Sequence, residues 1–226
     1  MKGKIIVIEG TDCSGKETQT SLLVQRMRRE GRKIERLSFP AYDSPTGRIV
    51  GGPYLGKKYI CDGYFPEGAD KVDPKVACLY YAADRRYHRQ EILDLIDQGI
   101  DVVLDRYVES NMGHQGGKIF DKEERLKLYE DLANLEYGFL ELPKPDLTIF
   151  LYVPYKKVAE LRNGRVEPAD QHEANPLHIR NAEHAYLELA SLHNYKKVNC
   201  VEKGGKLRDI EDVHEEIYNI VKKKLM

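Results

Sequence analysis

The stretch Gly10-Thr11-Asp12-Cys13-Ser14-Gly15-Lys16-Glu17 follows directly on the apolar run Ile5-Ile6-Val7-Ile8. It spells G-x-x-x-x-G-K, the pattern of a loop that binds phosphates. The glycines let the backbone curl so that successive N–H groups point inward, and the lysine adds a mobile positive charge. Such a loop needs a buried strand before it and a helix after it, so it limits the chain to α/β architectures with the loop at a strand's carboxyl end. The nucleotide-binding set is therefore Gly10, Thr11, Asp12, Cys13, Ser14, Gly15, Lys16, Glu17 and Thr18. One position is irregular. Glu17 stands where Ser or Thr normally offers a hydroxyl to Mg²⁺. Either its carboxylate ligates the metal, or it turns to solvent and the ion relies on phosphates, water and another carboxylate.

Strand-like apolar runs recur at 5–8, 34–38, 102–104, 147–153 and 197–201. Helical patterns fill the intervals at 16–30, 74–99, 122–140, 156–162, 176–193 and 210–224. Gly31 supplies a stop for the first, and Asp73-Pro74 an N-cap followed by proline for the second. Alternating elements with strands apolar on both faces predict a five-stranded parallel sheet covered by helices on both sides, in one domain over 1–226. The segment 51–71, rich in Gly and Tyr, reads as a functional flap, an acceptor-side connection extending to about residue 73. The 36 basic and 37 acidic side chains nearly cancel, so bulk charge suggests no nucleic-acid partner. The four cysteines are scattered and read as reduced thiols of a cytoplasmic protein. No segment nears the roughly 18 apolar residues of a membrane span, and the first apolar run is too short for a signal peptide.

Three further constellations face the loop in such a sheet, because ligands lie beyond the strands' carboxyl ends. Leaving the third strand is Asp105-Arg106-Tyr107-Val108-Glu109-Ser110-Asn111-Met112-Gly113-His114-Gln115. Asp105 there could hold water around Mg²⁺ and Arg106 could fork two N–H bonds onto a phosphate, or the two could cap the next helix as an ion pair. Tyr81 and Arg85 lie four apart on the second helix and share a face. A flat ring beside a guanidinium suits a nucleobase, although aromatic residues at that spacing also pack cores. Around Asn163-Gly164, Arg162, Arg165, Asp170 and Glu173 compose either a mobile lid over about 162–175 or an ordinary solvated connection.

Together these residues resemble the thymidylate kinases, which make dTDP from dTMP. The resemblance rests on Glu9-Gly10-Thr11-Asp12, Lys16-Glu17-Thr18-Gln19, Phe39-Pro40, Asp105-Arg106-Tyr107 with Ser110, and Leu142-Pro143-Lys144-Pro145-Asp146, in order along nearly the whole chain. It implies the P-loop nucleoside monophosphate kinase fold with a short lid, ATP as phosphate donor, Mg²⁺, small-molecule nucleotide partners and a homodimer. It implies Tyr81 against the thymine, Arg85 on its 4-carbonyl and Asn111 on the neighbouring ring edge. Asp12 would meet the sugar 3′-hydroxyl or order Mg²⁺-bound water, and Tyr42 and Arg106 would hold the acceptor phosphate, with Phe39 lining the pocket. Ser110, His114, Gln115 and Glu173 join the dTMP side, and Lys16 bridges both phosphates. Because the loop offers Cys13 where some relatives carry an arginine, Arg162 and Arg165 inherit the catalytic charge. Asp105, with Glu17, is the expected metal ligand. His114 and His172 stand where relatives commonly have Tyr, which would alter the surroundings of the sugar.

Two other readings compete. A kinase of another monophosphate or of a deoxynucleoside shares the loop, but a nucleoside acceptor needs a base near its 5′-hydroxyl, for which Glu9 is the obvious candidate. A nucleotide-binding switch or sensor is the third, and the guanine-reading Asn-Lys-x-Asp occurs nowhere in the chain.

Overall fold

The computed structural model describes residues 2–162 and 175–225. Five strands, β1 (Ile5–Gly10), β2 (Ile34–Ser38), β3 (Asp101–Asp105), β4 (Leu147–Tyr152) and β5 (Lys196–Asn199), form one sheet in the order β2-β3-β1-β4-β5. All neighbours are parallel. The register sets Ile8 beside Asp105 and Ser38 beside Asp105, so β2 and β3 end level and β1 runs two residues further, to Gly10. The chain leaves β1 towards β2 and β3 on one side, then returns across it to β4. That reversal opens a crevice beyond the ends of β1 and β3, where parallel sheets take their ligands.

Both faces of the sheet are covered. Ile6 and Ile8 of β1 join Leu23, Val24, Met27, Ile217 and Val221, from helices α1 (Lys16–Arg29) and α9 (Ile210–Leu225), whose buried residues recur at helical spacing. Ile5 and Val7 face the other way, onto Ile92, Ile96, Met112, Leu128 and Leu189. Each such fully buried side chain stabilises by about 1.5–3 kcal/mol. On that second face lie α4 (Arg89–Asp97), α5 (Val108–Gly116), α6 (Lys122–Ala133) and α8 (Pro176–Leu192). The remaining helices are α2 (Pro45–Ile49), α3 (Pro74–Tyr87) and α7 (Tyr155–Arg162).

Some elements differ from the sequence expectation. The helix expected over 74–99 is two, because His88 leaves helical geometry at φ −91° and ψ 1°, ending α3 and starting α4. The one expected over 122–140 is α6 followed by a π-helical turn, Asn134–Phe139. The connection 51–71 opens with another π turn, Val50–Tyr54, and carries its own small core of Val50, Tyr54, Leu55, Ala69 and Val72. Lys118 secures it, donating to Ala69 O at 2.8 Å and Val72 O at 3.1 Å. Helix α5, which the periodicity did not delimit, is rich in glycine because its neighbours come close. A Cβ on Gly113 would meet the Tyr186 ring at 2.6 Å, and one on Gly116 the Tyr129 ring at 2.5 Å.

Candidate active site

The loop after β1 has the conformation its glycines permit. Gly15 sits at φ 80° as N-cap of α1 and makes no side-chain cap, so the first N–H groups of that helix are left for an anion. Gly10 is needed for close approach, since a Cβ there would lie 2.5 Å from Ser14 Oγ and 2.6 Å from Leu151 O. Cys13 is held at φ 59°. The Lys16 ammonium bridges the loop, donating to Thr11 O at 2.7 Å and Ser14 Oγ at 3.4 Å. Burial and the nearby Arg106 charge push its pKa down to about 8.

Arg106 leaves β3 with φ 68°, and that unusual turn aims its side chain back at the loop. Its Nη2 pairs with Asp12, and its Nη1 reaches Gly10 O at 3.3 Å, Ser110 Oγ at 3.4 Å and His114 Nε2 at 3.2 Å. Burial alone would raise the Asp12 pKa. The Arg106 charge overrides it and holds the carboxylate far below its usual range. A buried Glu9 fastens the turn from beneath. Its Oε1 accepts from the Tyr107 amide at 2.8 Å, and its Oε2 from Ser110 Oγ at 2.7 Å and the Tyr186 hydroxyl at 3.0 Å. Both oxygens are therefore occupied, which removes Glu9 as a base for a nucleoside 5′-hydroxyl.

Beside Asp12 opens a cleft of about 500 Å³. Asp12, Phe39, Tyr42, Tyr81, Arg85, Arg106, Ser110, Asn111, His114 and Gln115 all line it, together with Pro40 and Leu55. The expected acceptor residues thus converge from four stretches of chain. Glu173, Arg165 and His172 lie outside the described residues; Arg162 closes α7, and its side chain is likewise outside them. Tyr81 presents its ring edge-on to Tyr54, centroids 5.6 Å apart. Tyr42 lies under the Lys57 ammonium at 5.0 Å. Asp84 braces the Phe39–Ala41 turn against α3 by accepting from the Ala41 amide at 2.9 Å and Thr46 Oγ1 at 2.8 Å. A second cleft, on the other side of the loop, is lined by Cys13, Ser14, Gly15, Thr18 and Arg208 among others.

The two residues expected near the metal lie in different surroundings. One Asp105 oxygen is taken by Arg36 of β2 at 2.9 Å, and Glu17 is exposed, along a separate groove with Arg36 and Ser38. No group of three acidic, His or Cys side chains among the described residues is placed to hold a metal. Arg36 of the neighbouring strand thus engages one of the two Asp105 oxygens.

Sequence reasoning missed four residues of the site. Tyr186 and His178 come from α8, far along the chain; the His178 ring stacks on His114, with His114 Nδ1 and His178 Nε2 3.3 Å apart. Glu9 was read as part of the loop motif and as a candidate base, not as the group that fastens the Arg106 turn. Glu136, wholly buried on the π turn after α6, pairs with Arg85 through Nε at 2.5 Å and Nη2 at 2.7 Å.

A phosphate loop at the switch point of a five-stranded parallel sheet, with an arginine-bearing turn and an aromatic-lined cleft beside it, defines a P-loop nucleoside monophosphate kinase. The profile of the thymidylate kinase family matches residues 8–217. A probable thymidylate kinase of Pyrococcus abyssi is 29% identical over 227 residues, covering 100% of this chain and 99% of the relative. The thymidylate kinase of Schizosaccharomyces pombe is 35% identical over 152 residues, 67% of this chain and 62% of the relative. The solved thymidylate kinase of Candida albicans, described as having broad substrate specificity, superposes with a TM-score of 0.72 at 26% identity, over 98% of this chain and 92% of that one. The chain belongs to the thymidylate kinase family: an ATP-dependent kinase that phosphorylates dTMP on the way to dTTP.

Proposed function

We propose that dTMP occupies the cleft beside Asp12, its thymine along Tyr81 and Arg85 and its phosphate at Arg106 and Tyr42, while the phosphates of ATP lie on the loop 10–18. The observation that carries this reading is the convergence of the acceptor residues on one cleft that shares Asp12 with the phosphate loop. The donor nucleoside lies in the second cleft, beside Arg208. A dTMP phosphate oxygen attacks the γ-phosphorus in line, forming the new O–P bond as the bond to the β-phosphate oxygen breaks. The acceptor phosphate is already ionised near neutral pH, so positioning and charge neutralisation suffice and no general base is required. Lys16 and Arg106 supply fixed charge at the transferring group, and Arg162 and Arg165 supply the rest. Mg²⁺ enters with ATP as part of the substrate, neutralising its phosphates.

The whole chain acts as one catalytic domain. A homodimer is supported by Ile49, Val76 and Leu79, exposed apolar side chains of the neighbouring helices α2 and α3. A cytoplasmic site of action is supported by the scatter of the four cysteines, which form no C-x-x-C pair, and no helix among the described residues is long and apolar enough to cross a membrane. Changing Tyr81 to Ala tests the placement. The Michaelis constant for dTMP should rise at least tenfold and that for ATP less than threefold; equal rises for both would refute it.

A further inference from the structure

Asn111 lines the acceptor cleft, and an amide side chain there could turn either its oxygen or its nitrogen to a base. Its surroundings remove the choice. Nδ2 donates to Cys78 O at 3.0 Å and to Glu136 Oε1 at 3.0 Å, which uses both of its hydrogens. Turning the amide over would set its carbonyl oxygen against a carboxylate and another carbonyl, neither of which can donate. The polar atom left to Asn111 is Oδ1, buried and without a hydrogen-bond partner. The same Glu136 takes Nε and one hydrogen of Nη2 of Arg85, fixing the guanidinium plane and leaving Nη1 and the second Nη2 hydrogen as donors. Burial opposes the Arg85 charge, and Glu136 more than restores it. Gln115 differs: both its amide atoms are buried without partners, so nothing in the protein fixes which one it presents.

We propose that Glu136 is the positioning residue that sets base specificity, holding Arg85 as donor and Asn111 as acceptor toward the pyrimidine edge. Thymine offers the complement, an accepting 4-carbonyl beside a donating N3–H. Cytosine offers the reverse at both places, a donating 4-amino group beside an accepting N3. A site built to pair a polar edge rejects an analogue that cannot pair, because its own buried groups are then left unmatched. Gln115 can adapt to either base, so discrimination falls on the pair that Glu136 fixes. Glu136 itself touches no substrate atom; it acts through its two neighbours.

This inference rests on the placement of thymine proposed above. The test compares dTMP with 5-methyl-dCMP, which differ only along that edge, by ADP release from the full chain with ATP and Mg²⁺. The unaltered protein should favour dTMP by at least about a hundredfold in kcat/KM. Glu136→Gln should shrink that ratio at least tenfold, chiefly by raising KM for dTMP while kcat stays within threefold. A residue that only supported the fold would lower both substrates alike, and an unchanged ratio overturns the proposal. Glu136→Asp keeps the negative charge beside Arg85 but draws it back by one methylene. It should fold and lose at least threefold of the ratio, and it decides the matter where Glu136→Gln fails to fold. If Tyr81→Ala leaves KM for dTMP unchanged, the placement and this inference fall together. If that variant behaves as expected while the ratio ignores Glu136, this inference alone falls.

Discussion

Replacing Glu109 by Gln should stabilise the protein at pH 8 and leave it nearly unchanged at pH 5. Glu109 follows the Arg106 turn on α5 and is buried; its Oε1 accepts from the Tyr137 hydroxyl at 2.9 Å, while Oε2 has no partner. Burial, and then the charge of Glu9, push its pKa up to about 7 from an ordinary 4.5. Between those values the folded protein keeps a proton that the unfolded chain has lost, so stability falls as pH rises through this window. At 1.36 kcal/mol per pH unit the full penalty is about 3 kcal/mol, complete above pH 7 and absent below 4.5. Gln is neutral throughout, still accepts from Tyr137, and leaves one unpartnered polar atom as Glu does. Relaxation around a buried charge reduces the gain, so about 1–3 kcal/mol is expected at pH 8 and under about 1 kcal/mol at pH 5. Urea unfolding at both pH values reads the difference directly. An equal change at the two pH values, or a loss at pH 8, would show that Glu109 is not carrying a buried charge.

Arg106→Ala should lower turnover with dTMP at least tenfold, since it removes the cation shared by Asp12 and the acceptor phosphate; near-normal activity in a coupled ADP-release assay would refute that role. Because burial and Arg106 depress Lys16 to about 8, its positive charge is lost as pH rises through that value, and kcat/KM for ATP should decline above about pH 8. A profile flat to pH 9.5 would mean that this lysine does not meet the donor phosphates.

What the sequence revealed and what it concealed follow from how far apart the cooperating residues lie. The loop 10–18 was legible because its chemistry is local: two glycines, a lysine and the strand and helix on either side specify it alone. The strands were legible because burial on both faces makes each a continuous apolar run. Helix α5 was concealed because Gly113 and Gly116 look like helix breakers until Tyr186 and Tyr129 arrive from other helices to demand them. The Arg36 partner of Asp105 was concealed because it comes from a neighbouring strand. Glu136 was concealed twice over. Its partner Arg85 is distant in sequence, and the π turn that carries it inward leaves no mark in the helical period.

The acceptor cleft has a charged end and a neutral end, and the two arginines that define them are bound in opposite ways. Arg85 and Glu136 are 2% and 0% exposed and form a two-pronged pair, so their charges cancel and the guanidinium cannot leave. Arg106 and Asp12 are 20% and 14% exposed and meet through one prong. Arg106 can therefore turn hydrogens to a phosphate without abandoning a buried carboxylate. Lys16 adds a second positive charge at that end. A nucleoside monophosphate entering with its phosphate toward Arg85 would bury two negative charges beside Glu136, opposite a guanidinium whose charge Glu136 already cancels. Entering the other way, it meets Arg106 and Lys16, and its base meets donors and acceptors whose charge is already balanced. On the proposed placement, the orientation of dTMP follows from which end of the cleft carries positive charge beyond what its carboxylates cancel.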